Sequence, residues 1–169
     1  EEQGFTDIIK IGRSDSVEQL NSALEQADFI YHLAGVNRPK TEDEFKKGNA
    51  DLTSYIVATL KKLNRSTPIL LTSSIQAEHI NPYGESKALA EKVVSEYAEQ
   101  SGAKAYIYRL PNVFGKWCRP NYNSVVATFC HNVANDLPIT VNDSDAKVNL
   151  VYIDTVCEHF LHHLTNDEP

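Results

Sequence analysis

Up to about residue 115, short apolar runs alternate with stretches whose apolar positions recur at helical spacing. Phe29 to Leu33 and Pro68 to Thr72 are continuous apolar segments of the kind buried in parallel sheets, and Asp7 to Ile11 and Ala105 to Leu110 read as further strands. Between them, Ser16 and Gln19 form a capping box for a helix with Val17, Leu20 and Leu24 on one face. Leu52, Ile56, Leu60 and Leu63 mark a second helix over Ala50 to Leu63. Asn81 is suited to cap a third and Pro82 to begin it, and Ser101-Gly102 stops it after Gln100. Beyond Gly115 the pattern loosens into a polar run. A helix is predicted around Val125 to Val133, short strands near Ile139 and over Leu150 to Ile153, and a last helix from about Thr155.

This alternation predicts right-handed βαβ crossovers, hence an α/β fold with a Rossmann-like doubly wound parallel sheet. Residues 1–169 are expected to form a single NAD(P)-binding domain, with 112–145 contributing a small substrate-binding segment. Ligands in such sheets sit at the carboxyl ends of the strands, where Ala34-Gly35, Ser73-Ser74 and Pro111-Asn112 fall. The seven glycines never approach G-x-G-x-x-G spacing, and the chain opens on Glu1 without any methionine. The first strand and its phosphate loop are therefore expected upstream of Glu1, and the chain as given is expected to hold a dinucleotide poorly.

A net charge of -7 argues against a nucleic-acid partner, which needs a basic face. No apolar run approaches the roughly 20 residues of a membrane helix. Three cysteines without C-x-x-C spacing fit a reducing cytoplasm. His159 and His163 stand four apart near Cys157 and His162, but no further ligand set completes a site and no metal is expected.

The sharpest chemistry lies in PILLTSSIQAEHINPYGESK. A helix opening at Pro82 puts Tyr83 and Lys87 at i and i+4 on one face, so the ammonium is expected to lower the phenol's pKa toward useful proton transfer. Ser74 would give a second hydrogen bond to the same substrate oxygen. No side chain supplies a hydride, which implies a nicotinamide cofactor.

With its serine and Tyr-x-x-x-Lys signature, the chain resembles the extended short-chain dehydrogenase/reductase family. The resemblance implies that Ser74, Tyr83 and Lys87 are catalytic, with Ser73, Tyr83 and Lys87 also touching the cofactor. His32-Leu33-Ala34-Gly35 resembles the family element whose small residues lie against the dinucleotide, so Leu33, Ala34 and Gly35 join that set, with His32 expected to be a packed strand histidine. Arg13 stands where the residue that discriminates cofactors should be, and its planar fork suits a 2'-phosphate. NADP(H) is therefore favoured over NAD(H), with Asp15 as the rival ribose contact. RLPNVFG matches the element that places Pro111 by the nicotinamide and Asn112 by a sugar substrate. Lys116 and Arg119 are expected to hold a nucleotide diphosphate and Asn123 to contact the substrate, with Trp117 stacking or packing nearby, and Asn37 and Arg38 to reach the substrate pocket.

Departures from the family narrow the chemistry. Ile75-Gln76 replaces the acidic pair with which 4,6-dehydratases eliminate water, and Val148 stands where an arginine often grips a phosphate. FIYHLAGVNRP, SSIQAEHINPYGESK and YRLPNVFGKWCRPNYNSVVATFC together look most like capsular-polysaccharide reductases of the CapF type. That likeness implies NADPH-dependent reduction of the C4 ketone of a UDP-2-acetamido-2,6-dideoxy-hexulose in making UDP-N-acetyl-L-fucosamine. It also implies a homodimer and a C-terminal cupin domain in the full-length protein. The alternatives are a UDP-hexose 4-epimerase with bound NAD and a non-catalytic NADP-sensing protein on the same fold.

Overall fold

The computed structural model describes residues 4–165, which divide between Arg109 and Leu110 into two compact units. In the first unit α1 spans Val17–Gln26, β1 Ile30–His32, α2 Asp43–Phe45, a π-helical segment Lys46–Asp51, α3 Leu52–Lys62, β2 Ile69–Ser74, a 3-10 turn Ile75–Glu78, α4 Pro82–Ser101 and β3 Ala105–Leu110. β1 pairs in parallel with β2, Ile30 opposite Ile69 and His32 opposite Leu71, and β3 flanks β2 on its other side. The helical crossovers between these strands make the fold Rossmann-like.

Local chemistry sets the element ends. At α1 the Ser16 hydroxyl accepts from the Gln19 amide at 3.3 Å while Gln19 Oε1 accepts from the Ser16 amide at 2.7 Å, as the capping box predicts. Asn81 Oδ1 accepts from the Gly84 amide at 2.8 Å, Pro82 opens α4, and Gly102 closes it at φ 71°. Strand alternation sends Ile69 and Leu71 into one core with Leu24 of α1, Ile56, Val57 and Leu60 of α3, and Ala90, Val94 and Tyr97 of α4. Each fully buried aliphatic side chain there contributes about 1.5–3 kcal/mol.

The segment Asp7 to Ile11 is not a strand, contrary to the pattern. Among the described residues it forms no strand, and its Ile8, Ile9 and Ile11 are exposed. An apolar run becomes a strand only when a neighbour takes its backbone hydrogen bonds. The second helix also begins earlier than its apolar spacing suggested, because α2 and the π segment extend it back to Asp43.

In the second unit β4, Asn112–Phe114, pairs in parallel with β5, Leu150–Tyr152. The unit also contains α5, Val125–Ala134, and α6, Ile153–Thr165. No strand forms near Ile139, where Leu137, Ile139 and Val141 are exposed rather than packed. No described helix is long and apolar enough to cross a membrane.

Candidate active site

β2 ends at Ser74, whose hydroxyl caps the 3-10 turn by accepting from the Gln76 amide at 3.1 Å. The same hydroxyl hydrogen-bonds the phenol of Tyr83 in the first turn of α4. One turn further on, Lys87 places its Nζ 6.0 Å from the centre of the Tyr83 ring and donates to the Thr72 carbonyl at 3.0 Å. Ser74, Tyr83 and Lys87 are therefore brought together at the carboxyl end of β2.

The electrostatics differ from the sequence expectation. Burial pushes the Tyr83 phenol above its ordinary pKa, and the Ser74 hydrogen bond opposes this only in part. The nearby ammonium of Lys87, held by the Thr72 carbonyl with Nζ 6.0 Å from the ring centre, does not reverse the shift. Lys87 is itself only 7 % exposed, and burial lowers its pKa while the charge of Glu91 raises it.

Gly35 meets this group from the loop after β1. A Cβ there would lie 2.9 Å from Asn49 Oδ1 and 3.1 Å from Lys87 Nζ, so the backbone comes this near only because the side chain is absent. Leu33, Ala34 and Gly35 are exposed, leaving an open face beside the buried amine. Thr72 takes one of the ammonium's three donors, and the remaining two suit a ribose diol. This bare backbone and amine fit a dinucleotide.

Strand alternation turns the Ser73 side chain to the opposite face from Ser74, where it is buried and donates to Glu91 Oε1. Arg13 occupies the exposed turn before α1, where Asp15 Oδ2 accepts from the Gly12 amide at 2.6 Å. Asn37 is exposed on the loop after Gly35.

Asn49 was missed by the sequence reading. It is buried in the π segment, accepts from the Val36 amide at 2.9 Å, donates to the Val36 carbonyl at 3.0 Å and donates to Ser86 Oγ at 2.9 Å. Ser86 donates in turn to the Tyr83 carbonyl at 2.7 Å. One amide thus ties the Gly35 loop to the turn that carries Tyr83. Its signal was available: Asn49 and Thr53 continue the buried stripe of Ile56 and Leu60, and a polar residue on an apolar stripe must be hydrogen-bonded. Phe45 likewise packs on Tyr83, ring centres 5.5 Å apart.

His32 is buried, its Nε2 2.9 Å from Thr53 Oγ1, which donates to the Asn49 carbonyl at 2.6 Å. Because that hydroxyl spends its proton on Asn49, it accepts from His32, which places the imidazole proton on Nε2. Burial, then the charge of Lys87, pushes His32 down to about 4. Below the unfolded value of 6.5 the unfolded chain takes up a proton that the folded chain refuses until about pH 4, so stability falls as pH drops through that window. The expected loss is on the order of 3 kcal/mol. Denaturation midpoints at pH 7 and pH 4 should show His32→Gln with a visibly flatter acid loss than the parent; equal slopes would refute the assignment.

In the second unit, Pro111 precedes β4 and Asn112 opens it, donating from Nδ2 to the Asn149 carbonyl at 3.4 Å. Lys116 pairs with Asp154 at 2.7 Å, and Arg119 lies 5.7 Å over the Tyr122 ring. Asn123 is exposed just before the Ser124 cap of α5. Trp117 is 99 % exposed at φ 63°, so it does not pack.

The model of the NAD dependent epimerase/dehydratase family matches residues 6–169. The UDP-2-acetamido-2,6-beta-L-arabino-hexul-4-ose reductase of Pseudomonas aeruginosa is 50% identical over 160 residues, 95% of this chain and 43% of the relative. The crystal structure of the capsular polysaccharide assembling protein CapF from Staphylococcus aureus superposes with a TM-score of 0.80 at 46% identity, over 93% of this chain and 42% of that one. UDP-glucuronic acid 4-epimerase from Bacillus cereus, with NAD, shares the fold at a TM-score of 0.76 and 19% identity, over 88% of this chain and 53% of that one. The chain thus spans less than half the length of the first two relatives.

Proposed function

Because the chain belongs to the NAD dependent epimerase/dehydratase family, we propose that the protein it is part of reduces the C4 ketone of a UDP-2-acetamido-2,6-dideoxy-hexulose with NADPH. The observation that carries this reading is the meeting of Ser74, Tyr83 and Lys87 at the end of β2. The 50% identity to a hexulose reductase supports this substrate class.

A bound nicotinamide supplies the hydride that reduces the carbonyl carbon. Tyr83 gives its proton to the C4 oxygen, and a phenol whose pKa burial has raised is fully protonated near neutral pH, as an acid must be. Ser74 steadies the phenol and holds the oxygen as negative charge develops. The Lys87 cation beneath the ring then stabilises the phenolate until solvent restores its proton. Gly35 with Ala34 and Leu33 would give the cofactor a bare backbone to lie on, and Lys87 would bind its ribose. The family resemblance assigns Pro111 to the nicotinamide and Asn37, Asn112, Lys116, Arg119 and Asn123 to the UDP-sugar, for which Lys116 would exchange Asp154 for a phosphate oxygen.

NADP(H) is preferred to NAD(H) because Arg13 is exposed in its turn while the Asp15 carboxylate is engaged by the Gly12 amide. A homodimer would pair α3 with α4, whose surfaces carry Tyr55 and Leu89. The test uses the enzyme from the complete open reading frame with the UDP-4-keto sugar. Stoichiometric loss of NADPH is expected, with a marked preference over NADH. Interconversion of C4 epimers on bound NAD without net consumption of reduced cofactor would replace this reading with that of an epimerase.

A further inference from the structure

The buried carboxylate of Glu91 plays no part in the chemistry above, yet it stands one turn beyond Lys87 on α4. Ser73 of β2 donates to its Oε1, and Arg109 of β3 grips both oxygens, Nε at 3.0 and 3.1 Å and one terminal nitrogen at 2.7 Å. The other terminal nitrogen of Arg109 reaches Glu78 of the 3-10 turn at 2.9 Å. An ammonium buried as deeply as Lys87 needs a counter-charge, because desolvation otherwise favours the neutral amine. The titratable groups around Lys87 are Glu91 and Tyr83 on its own helix and neutral His32 from β1, with Thr72 and Gly35 presenting only backbone. Glu91 is the one anion in that set at neutral pH.

We propose that Glu91, clamped by Arg109 and Ser73, is a positioning residue for Lys87: its carboxylate keeps the neighbouring ammonium charged in a pocket that favours neutrality, and Arg109 limits how much of that field Lys87 receives. Arg109 does not cancel the field. Its side chain is 43% exposed and shared with Glu78, whereas that of Glu91 is 10% exposed, so the better solvated cation is the more strongly screened of the two.

The proposal rests on the reading of Lys87 as part of the catalytic group, and its test separates the two. In the complete enzyme, Glu91→Gln retains an oxygen for Ser73 but removes the charge, while Arg109→Gln retains the charge and strips its cation. The pH dependence of kcat is measured beside the titration of the Lys87 ε-carbon by NMR, its signal assigned through its loss in Lys87→Arg. Both the alkaline limb of kcat and the Lys87 titration should move to lower pH in Glu91→Gln, by on the order of one unit, and to higher pH in Arg109→Gln. A scaffold ion pair would weaken both variants without opposite displacements. Limbs that stay fixed or move together would overturn the proposal. If Glu91→Gln fails to fold, the sign in Arg109→Gln decides alone. If Lys87→Ala keeps full turnover, the catalytic reading fails, while the NMR titration still decides whether Glu91 sets the charge of Lys87.

Discussion

Tyr83→Phe in the complete enzyme is expected to lower kcat for ketone reduction by about three orders of magnitude, within the range for loss of a positioned proton donor. The phenylalanine keeps the ring contact with Phe45 and the helical position in α4, so the melting temperature should stay close to that of the parent. Only the hydroxyl that meets Ser74 is lost. Steady-state NADPH oxidation and a thermal melt read both halves of the prediction. Turnover near the parental rate would remove Tyr83 from the mechanism.

Gly84→Ala should damage both fold and activity. A Cβ at this position would stand 2.2 Å from the Gln76 carbonyl oxygen and 2.5 Å from that of His79. Both are backbone atoms of the turn that follows Ser74, so no side-chain rotation can relieve the clash. Gly84 does not need a left-handed backbone here; the requirement is room for the 3-10 turn against the start of α4. Overpacking of this kind costs about 3 kcal/mol. Moving the turn also carries Ser74 away from Tyr83, and a displacement near 1 Å is enough for about a hundredfold loss of kcat. Denaturant midpoint and kcat should fall together, and a variant as stable and active as the parent would mean that the turn does not press on α4.

Where one short stretch of sequence holds all the determinants of an element, the structure agrees with the pattern. Asn81, Pro82 and Gly102 delimit α4, and Ser16 with Gln19 starts α1. Asp7 to Ile11 and the vicinity of Ile139 carry the same apolar signal without becoming strands, because a strand depends on what lies beside it. The same limit applied to the site. Spacing brought Tyr83 and Lys87 to one face, but the direction of the phenol's shift depended on burial, to which Phe45, distant in sequence, contributes. Asn49 reads as a helix residue until its partners at Val36 and Ser86 are known.

The sequence by itself determined the parallel βαβ order, the caps that aim α4 at the end of β2, and the chemical types at Ser74, Tyr83 and Lys87, since each rests on residues within a few positions of one another. Only the tertiary structure decided that Ser73 turns inward to Glu91 and Arg109, that Asn49 locks the Gly35 loop to the Tyr83 turn, and that the phenol is held protonated. The physical reason is that hydrogen-bond partners and desolvation are set by groups far apart in the chain, Asn49 and Ser86 by 37 positions, brought together only when the β2 to α4 core closes.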